Sequence, residues 1–159
     1  MNHATDLQEA GLGARYGGNF TVGDHSARHL RRILRAYLMA WEMPELIDAA
    51  GLALTELIAN VVRHVPGRRC SLAMLRTAEG VRVEVTDACP SPPSSTAVDD
   101  ELAEGGRGLL ITEAVTDRWG WQPLTGGGRT GKAVWFECDA KAEAQTRRGD
   151  EDMTVRCHS

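Results

Sequence analysis

The hydrophobic repeat of this chain changes period at Pro66-Gly67, and that change limits the folds open to it. Ahead of it, Ala27, Leu30, Ile33, Leu34, Tyr37, Leu38 and Trp41 recur at helical spacing with arginines between them. The cap and turn residues Gly23-Asp24-His25-Ser26 precede this run, which predicts an amphipathic helix ending near Trp41. Pro44 suits a first helical turn, and Leu46, Ile47, Ala50, Leu54, Leu57, Ile58, Val61 and Val65 continue the 3.6-residue pattern over a wide arc. That second helix should be central. Beyond Gly67, CSLAML (70–75) and VRVEV (81–85) alternate with period 2 about a turn at Ala78-Glu79-Gly80, the pattern of a hairpin with one buried face.

The flanks complete the order. Phe20-Thr21-Val22 reads as a short strand, and Gly105-Gly106-Arg107-Gly108 opens a helix carrying Leu109, Leu110, Ala114 and Val115. DRWGW (117–121) and AVWFEC (133–138) follow as strands around a Gly-rich turn. Grouped strands with grouped helices predict an α+β two-layer sandwich, a mixed, mostly antiparallel sheet covered on one face by helices. At 159 residues a second folded domain does not fit. The expected layout is a flexible arm over 1–18, one domain over 19–139 and a disordered, charged tail over 140–159. The acidic, Pro-rich stretch 90–104 reads as a functional lid or a disordered segment, since structureless loops of that length are usually one or the other.

Charge and composition close several functional classes. A net charge of -4 provides no field to attract nucleic acid or an anionic membrane. No apolar run approaches the roughly 18 residues of a membrane span, and the N-terminus lacks the layout of a signal peptide, so a cytoplasmic location is expected. Cys70, Cys89, Cys138 and Cys157 form no CxxC pair, and the histidines make no metal-ligand spacing with them. Reduced thiols are expected, without a zinc site.

Three segments carry chemistry. Glu56, Asn60 and His64 sit four residues apart on the second helix, a polar stripe on an otherwise apolar element. Such a stripe is either a solvated face or phosphate-handling machinery, in which the Asn60 amide oxygen binds Mg²⁺ and the Glu56 carboxylate orients a hydroxyl or water. Asp87 ends the strand in VEVTDACP, just before Pro90. It is either a turn residue or an acceptor for the exocyclic amine of adenine, selective because a buried acceptor stays unpaired with the wrong base. The glycines around Arg107 are either plain loop or a set of unhindered N–H groups for phosphate, and they match neither the P-loop nor the Rossmann pattern.

Together and in this order, the three segments resemble the histidine-kinase-like ATPase superfamily, which includes sensor-kinase catalytic domains, type II topoisomerases and anti-sigma-factor serine kinases. ELIANVVRH looks like its N box, VEVTDACP its first glycine box and GGRGL its second, within a resemblance running from about Phe20 to Glu137. FTVGDHSARHLRRIL at the start and GKAVWFE at the end are similar to the stand-alone anti-sigma-factor serine/threonine kinases. The resemblance implies an ATP-dependent switch protein that binds a sigma factor or phosphorylates a serine or threonine of an antagonist protein. An ATP-gated binding module without turnover is the alternative, and a homodimer is compatible with either.

Residue by residue, the resemblance implies Glu56 as the general base, Asn60 as the Mg²⁺ ligand and Asp87 as the adenine contact. Gly106 and Gly108 would form the phosphate loop, with Arg107 exposed beside it and Pro90 and Leu109 completing the nucleotide-binding set. Arg63 and His64 fall near the phosphates, although for His64 a packed core histidine is the plainer reading. Lys132 either approaches a phosphate or is solvated, the second being the plainer reading. Ala88-Cys89-Pro90 stands where the family usually carries a glycine, which implies a stiffer loop beside the base; Ala133 stands where threonine is common.

Overall fold

The computed structural model describes residues 13–93, 104–128 and 130–140. Strand β1 spans Arg15–Thr21 and helix α1 Ser26–Ala40. A 3₁₀ turn at Pro44–Leu46 leads into helix α2, Ile47–His64. A second, at Pro66–Arg68, leads into β2, Arg69–Arg76, and β3, Gly80–Asp87. Helix α3, Glu104–Val115, then precedes β4, Arg118–Leu124, and β5, Gly131–Asp139. The element order is the one the hydrophobic periods predict. Most of the expected lid, the first twelve residues of the arm and the tail from 141 onward, Cys157 included, lie outside the described residues.

Strand β1 starts five residues before Phe20, inside the segment expected as a loose arm. Arg15 to Gly18 pair with Leu75 to Leu72 of β2, and the buried Tyr16 ring lies 5.3 Å from that of Tyr37. Gly17 and Gly18 have no side chain to display an alternating pattern, yet ladder pairing needs only their backbone.

The sheet runs β1-β2-β3-β5-β4, and every pairing is antiparallel, which corrects the expectation of a mixed sheet. The cause is the route of the chain. From β3 it crosses by way of α3 to the far edge as β4, then folds back as β5 into the gap, so β5 runs opposite to both neighbours.

Among the described residues, helices cover one face of the sheet. Leu72 and Met74 of β2, Val81, Val83 and Val85 of β3, and Val134, Phe136 and Cys138 of β5 meet Ala50, Ala53, Leu54, Leu57, Ile58 and Val61 of α2 in a single core. Both α1 and α3 pack on α2, the central position its broad apolar arc requires. On the other face, the Arg82 guanidinium bonds Glu137 at 3.1 Å and lies 4.2 Å from the centre of the Trp135 ring. That ring fills the space left by Gly120 across the strand, where an added Cβ would meet it at 2.8 Å. Cross-strand pairs of this kind stabilise a sheet face that no helix of the described residues covers. No helix among the described residues is long and apolar enough to cross a membrane.

Candidate functional site

Side-chain alternation carries two charges to the rim of the core. On β3 the inward residues are Val81, Val83, Val85 and then Asp87, where the strand ends; on β5 they are Cys138, Phe136, Val134 and then Lys132. The antiparallel register sets Asp87 and Lys132 directly opposite each other. Lys132 Nζ donates to Asp87 Oδ1 at 3.1 Å and to the Cys89 carbonyl oxygen at 3.1 Å. The Cys89 backbone N–H donates to the same Oδ1 at 2.8 Å. The Lys132 and Asp87 side chains are 7% and 3% exposed, so this is a buried ion pair, the condition under which such charges persist inside a protein. Gly131 makes the approach possible, because a Cβ there would collide with the Asp87 carbonyl oxygen.

A cavity of about 200 Å³ opens over the pair. Helix α2 contributes Leu57, Asn60, Val61 and His64, the sheet Val85 and Val134, and the chain leaving β3 Cys89, Ser91, Pro92 and Pro93. Apolar walls around a few convergent polar groups are the usual make-up of a small-ligand site. The volume lies below the roughly 300 Å³ at which pockets enclose drug-sized molecules, so it suits a flat ring rather than a whole nucleotide.

The residues singled out from the sequence divide as follows. Asn60, His64, Asp87 and Lys132 come together around this cavity, and His64, at the exposed C-terminal end of α2, is not the packed core histidine expected of it. Glu56 lies half-buried one turn before Asn60 and forms no part of the wall, while Arg63 and Pro90 are exposed and also outside it. Gly106 and Gly108 were expected in a loop before a helix but lie within α3, which begins at Glu104; the Arg107 side chain is outside the described residues. Leu109 is buried in the core. Lys132 is not solvated but committed to Asp87, a correction that follows from the opposite charge facing it across the ladder. The cavity residues Cys89, Ser91, Pro92 and Pro93 were not anticipated.

Three of the thiols can be compared. Burial pushes Cys70 up to about 11, with the Asp87 charge adding to the effect. Cys138 is pushed up to about 12, again chiefly by burial, with Asp117 and Asp139 adding and Arg118 opposing. Since the thiolate is the nucleophile, both are held inert, which leaves Cys89 as the accessible thiol in the cavity wall. Among the described residues no three His, Cys, Asp or Glu gather as a metal site.

A family model described as histidine kinase-like ATPase domain matches residues 21–137, from the end of β1 to two residues short of the end of β5. No curated protein matches the chain.

Proposed function

The chain belongs to the histidine kinase-like ATPase domain family, and from that premise we propose that it binds Mg-ATP and acts as a regulatory protein serine/threonine kinase. Its partner would be an antagonist protein that it phosphorylates, a sigma factor that it sequesters, or both. The observation that best supports this reading is the buried Asp87 carboxylate on the floor of an apolar cavity inside the matched span. Its Oδ1 takes two hydrogen bonds, and its Oδ2 takes none among the described residues. An acceptor therefore remains for the amine of a base, and Leu57, Val85 and Val134 offer apolar surface to the ring. The residues present fit an adenine nucleotide.

Bound ATP supplies the γ-phosphoryl group. Asn60 would hold Mg²⁺ through its amide oxygen, a single protein ligand being enough for an ion that keeps waters and phosphate oxygens in its shell. Glu56, one helical turn earlier, would take the proton of the incoming serine hydroxyl as its oxygen bonds to phosphorus and the bond to the ADP oxygen breaks. A second reading has its own support. Glu56 lies off the cavity wall and the glycine cluster is wound into α3, which favours a module that binds ATP to order a partner surface without turnover.

Titration calorimetry tests the binding step. Mg-ATP is expected to bind at least tenfold more tightly than Mg-GTP, and equal affinities would remove the adenine assignment. Asn60→Ala should abolish the Mg²⁺ dependence and spare ADP more than ATP, because a metal held by Asn60 would offset the larger phosphate charge of ATP. An unchanged metal titration would make Asn60 a structural residue.

The thiols offer an independent check. Iodoacetamide should modify Cys89 while leaving Cys70 and Cys138 intact, with peptide mass spectrometry separating Cys89 from Cys157. ATP at a hundred times its Kd should slow the Cys89 reaction about a hundredfold, the ratio of total to ligand-free protein. A rate indifferent to ATP would place the nucleotide elsewhere.

A further inference from the structure

An ammonium group has three donors and no acceptor. Lys132 places two of them, on Asp87 Oδ1 and the Cys89 carbonyl oxygen. The third has no acceptor among the described residues, although the side chain is buried and lines the cavity. An unmet donor on a buried cation is unfavourable, so a ligand that brings an acceptor there gains by it. Asp87 and Lys132, paired with each other in the cavity wall, thus have between them a carboxylate oxygen and an N–H that no described residue meets.

The base that answers this arrangement has a donor next to an acceptor on one edge. Adenine does, with its exocyclic amine at position 6 and ring nitrogen N1 beside it. Guanine carries the reverse at the same two positions, a carbonyl at 6 and an N–H at 1. We infer that Lys132 is a second reader of the base, donating to adenine N1 while Asp87 accepts from the amine. The inference rests on the adenine reading of the cavity and adds to it, because a carboxylate alone tests for one donor while the pair tests for order. Guanine then loses both contacts, since acceptor meets acceptor and donor meets donor. The register that sets the two residues opposite each other, and the bare Gly131 that lets the strands close on them, hold the two readers at neighbouring positions.

The probe is 1-deaza-ATP, in which a C–H replaces N1 and only the acceptor is lost. By titration calorimetry the wild-type chain is expected to bind it at least tenfold more weakly than ATP, about 1.4 kcal/mol. In Lys132→Met the two nucleotides should bind within about twofold of each other, as no donor is left to miss N1. Reading the ratio separates base recognition from structure, because a loosened fold weakens both ligands together. Should Lys132→Met fail to fold, Asp87→Asn/Lys132→Met, which buries no unpaired charge, is titrated in its place. Equal binding by the wild type would overturn the role of Lys132 and leave Asp87 as sole reader. A tenfold gap that persists without the lysine would overturn it as well, since another donor would then read N1. No binding of ATP by the wild type would instead remove the adenine reading itself.

Discussion

Asp87→Asn is expected to lower the stability of the domain by about 3 to 5 kcal/mol, the cost of removing one partner from a buried ion pair. The substituted amide still accepts a hydrogen bond, but it cannot neutralise Lys132, whose side chain is 7% exposed and has no other carboxylate in contact among the described residues. A buried cation without its counter-charge is a large loss against a total stability on the order of 5 to 15 kcal/mol. Thermal unfolding should show it as a midpoint lowered by roughly 10 °C or more. The double variant Asp87→Asn/Lys132→Met separates the two duties of the aspartate. Removing both charges together is often close to neutral, so stability should return while ATP affinity stays at least tenfold below wild type. An unchanged midpoint in Asp87→Asn would mean that the pair contributes no more than one in water, and the binding loss alone would then remain to be tested.

That double duty was only half visible in the sequence. Asp87 shares parity with Val81, Val83 and Val85, so an inward carboxylate at a strand end could be read directly. Lys132 shares parity with Val134, Phe136 and Cys138 in the same way, but lysines are rarely buried, and solvent is the plainer place for one beside a glycine turn. Parity prevails here because β5 inserts between β3 and β4 and brings Asp87 opposite. That pairing joins strands 45 residues apart at this point, and no local pattern encodes it. Nor could the sequence show that Ser91, Pro92 and Pro93 close the cavity, since that depends on the path of the chain after β3.

The polar stripe on α2 divides in a way that its spacing does not show. Residues four apart advance by about 400° at 3.6 residues per turn, so each step drifts about 40° around the helix. Asn60 and His64 face the cavity together with Leu57 and Val61, whereas Glu56 has turned out of the wall. A spacing of four thus establishes neighbours along a face without establishing that all of them reach one ligand. Helices α1 and α2 and strands β2 and β3 were legible because each has a single buried side of the right period, and β1 was legible only in part because two of its residues are glycines.

The position of Glu56 fixes what it can be asked to do. It stands about 6 Å along α2 from Asn60, outside the cavity proposed for the base, so it makes no contribution to holding the ring. If Asn60 holds the metal at the outer phosphates, the place left for Glu56 is beside the hydroxyl that attacks them. A carboxylate there is worth about 10²- to 10⁴-fold in rate. Glu56→Ala should therefore keep ATP affinity within a few-fold while transfer of label from ATP to an antagonist protein falls at least about a hundredfold. Affinity and rate move together if Glu56 merely supports the fold, and separate if it takes the proton. A wild-type chain that transfers no label to any candidate antagonist, or an alanine variant that transfers it at the normal rate, would end the kinase reading. ATP would then act by ordering a binding surface, with Asn60, Asp87 and Lys132 as the residues through which the chain senses it.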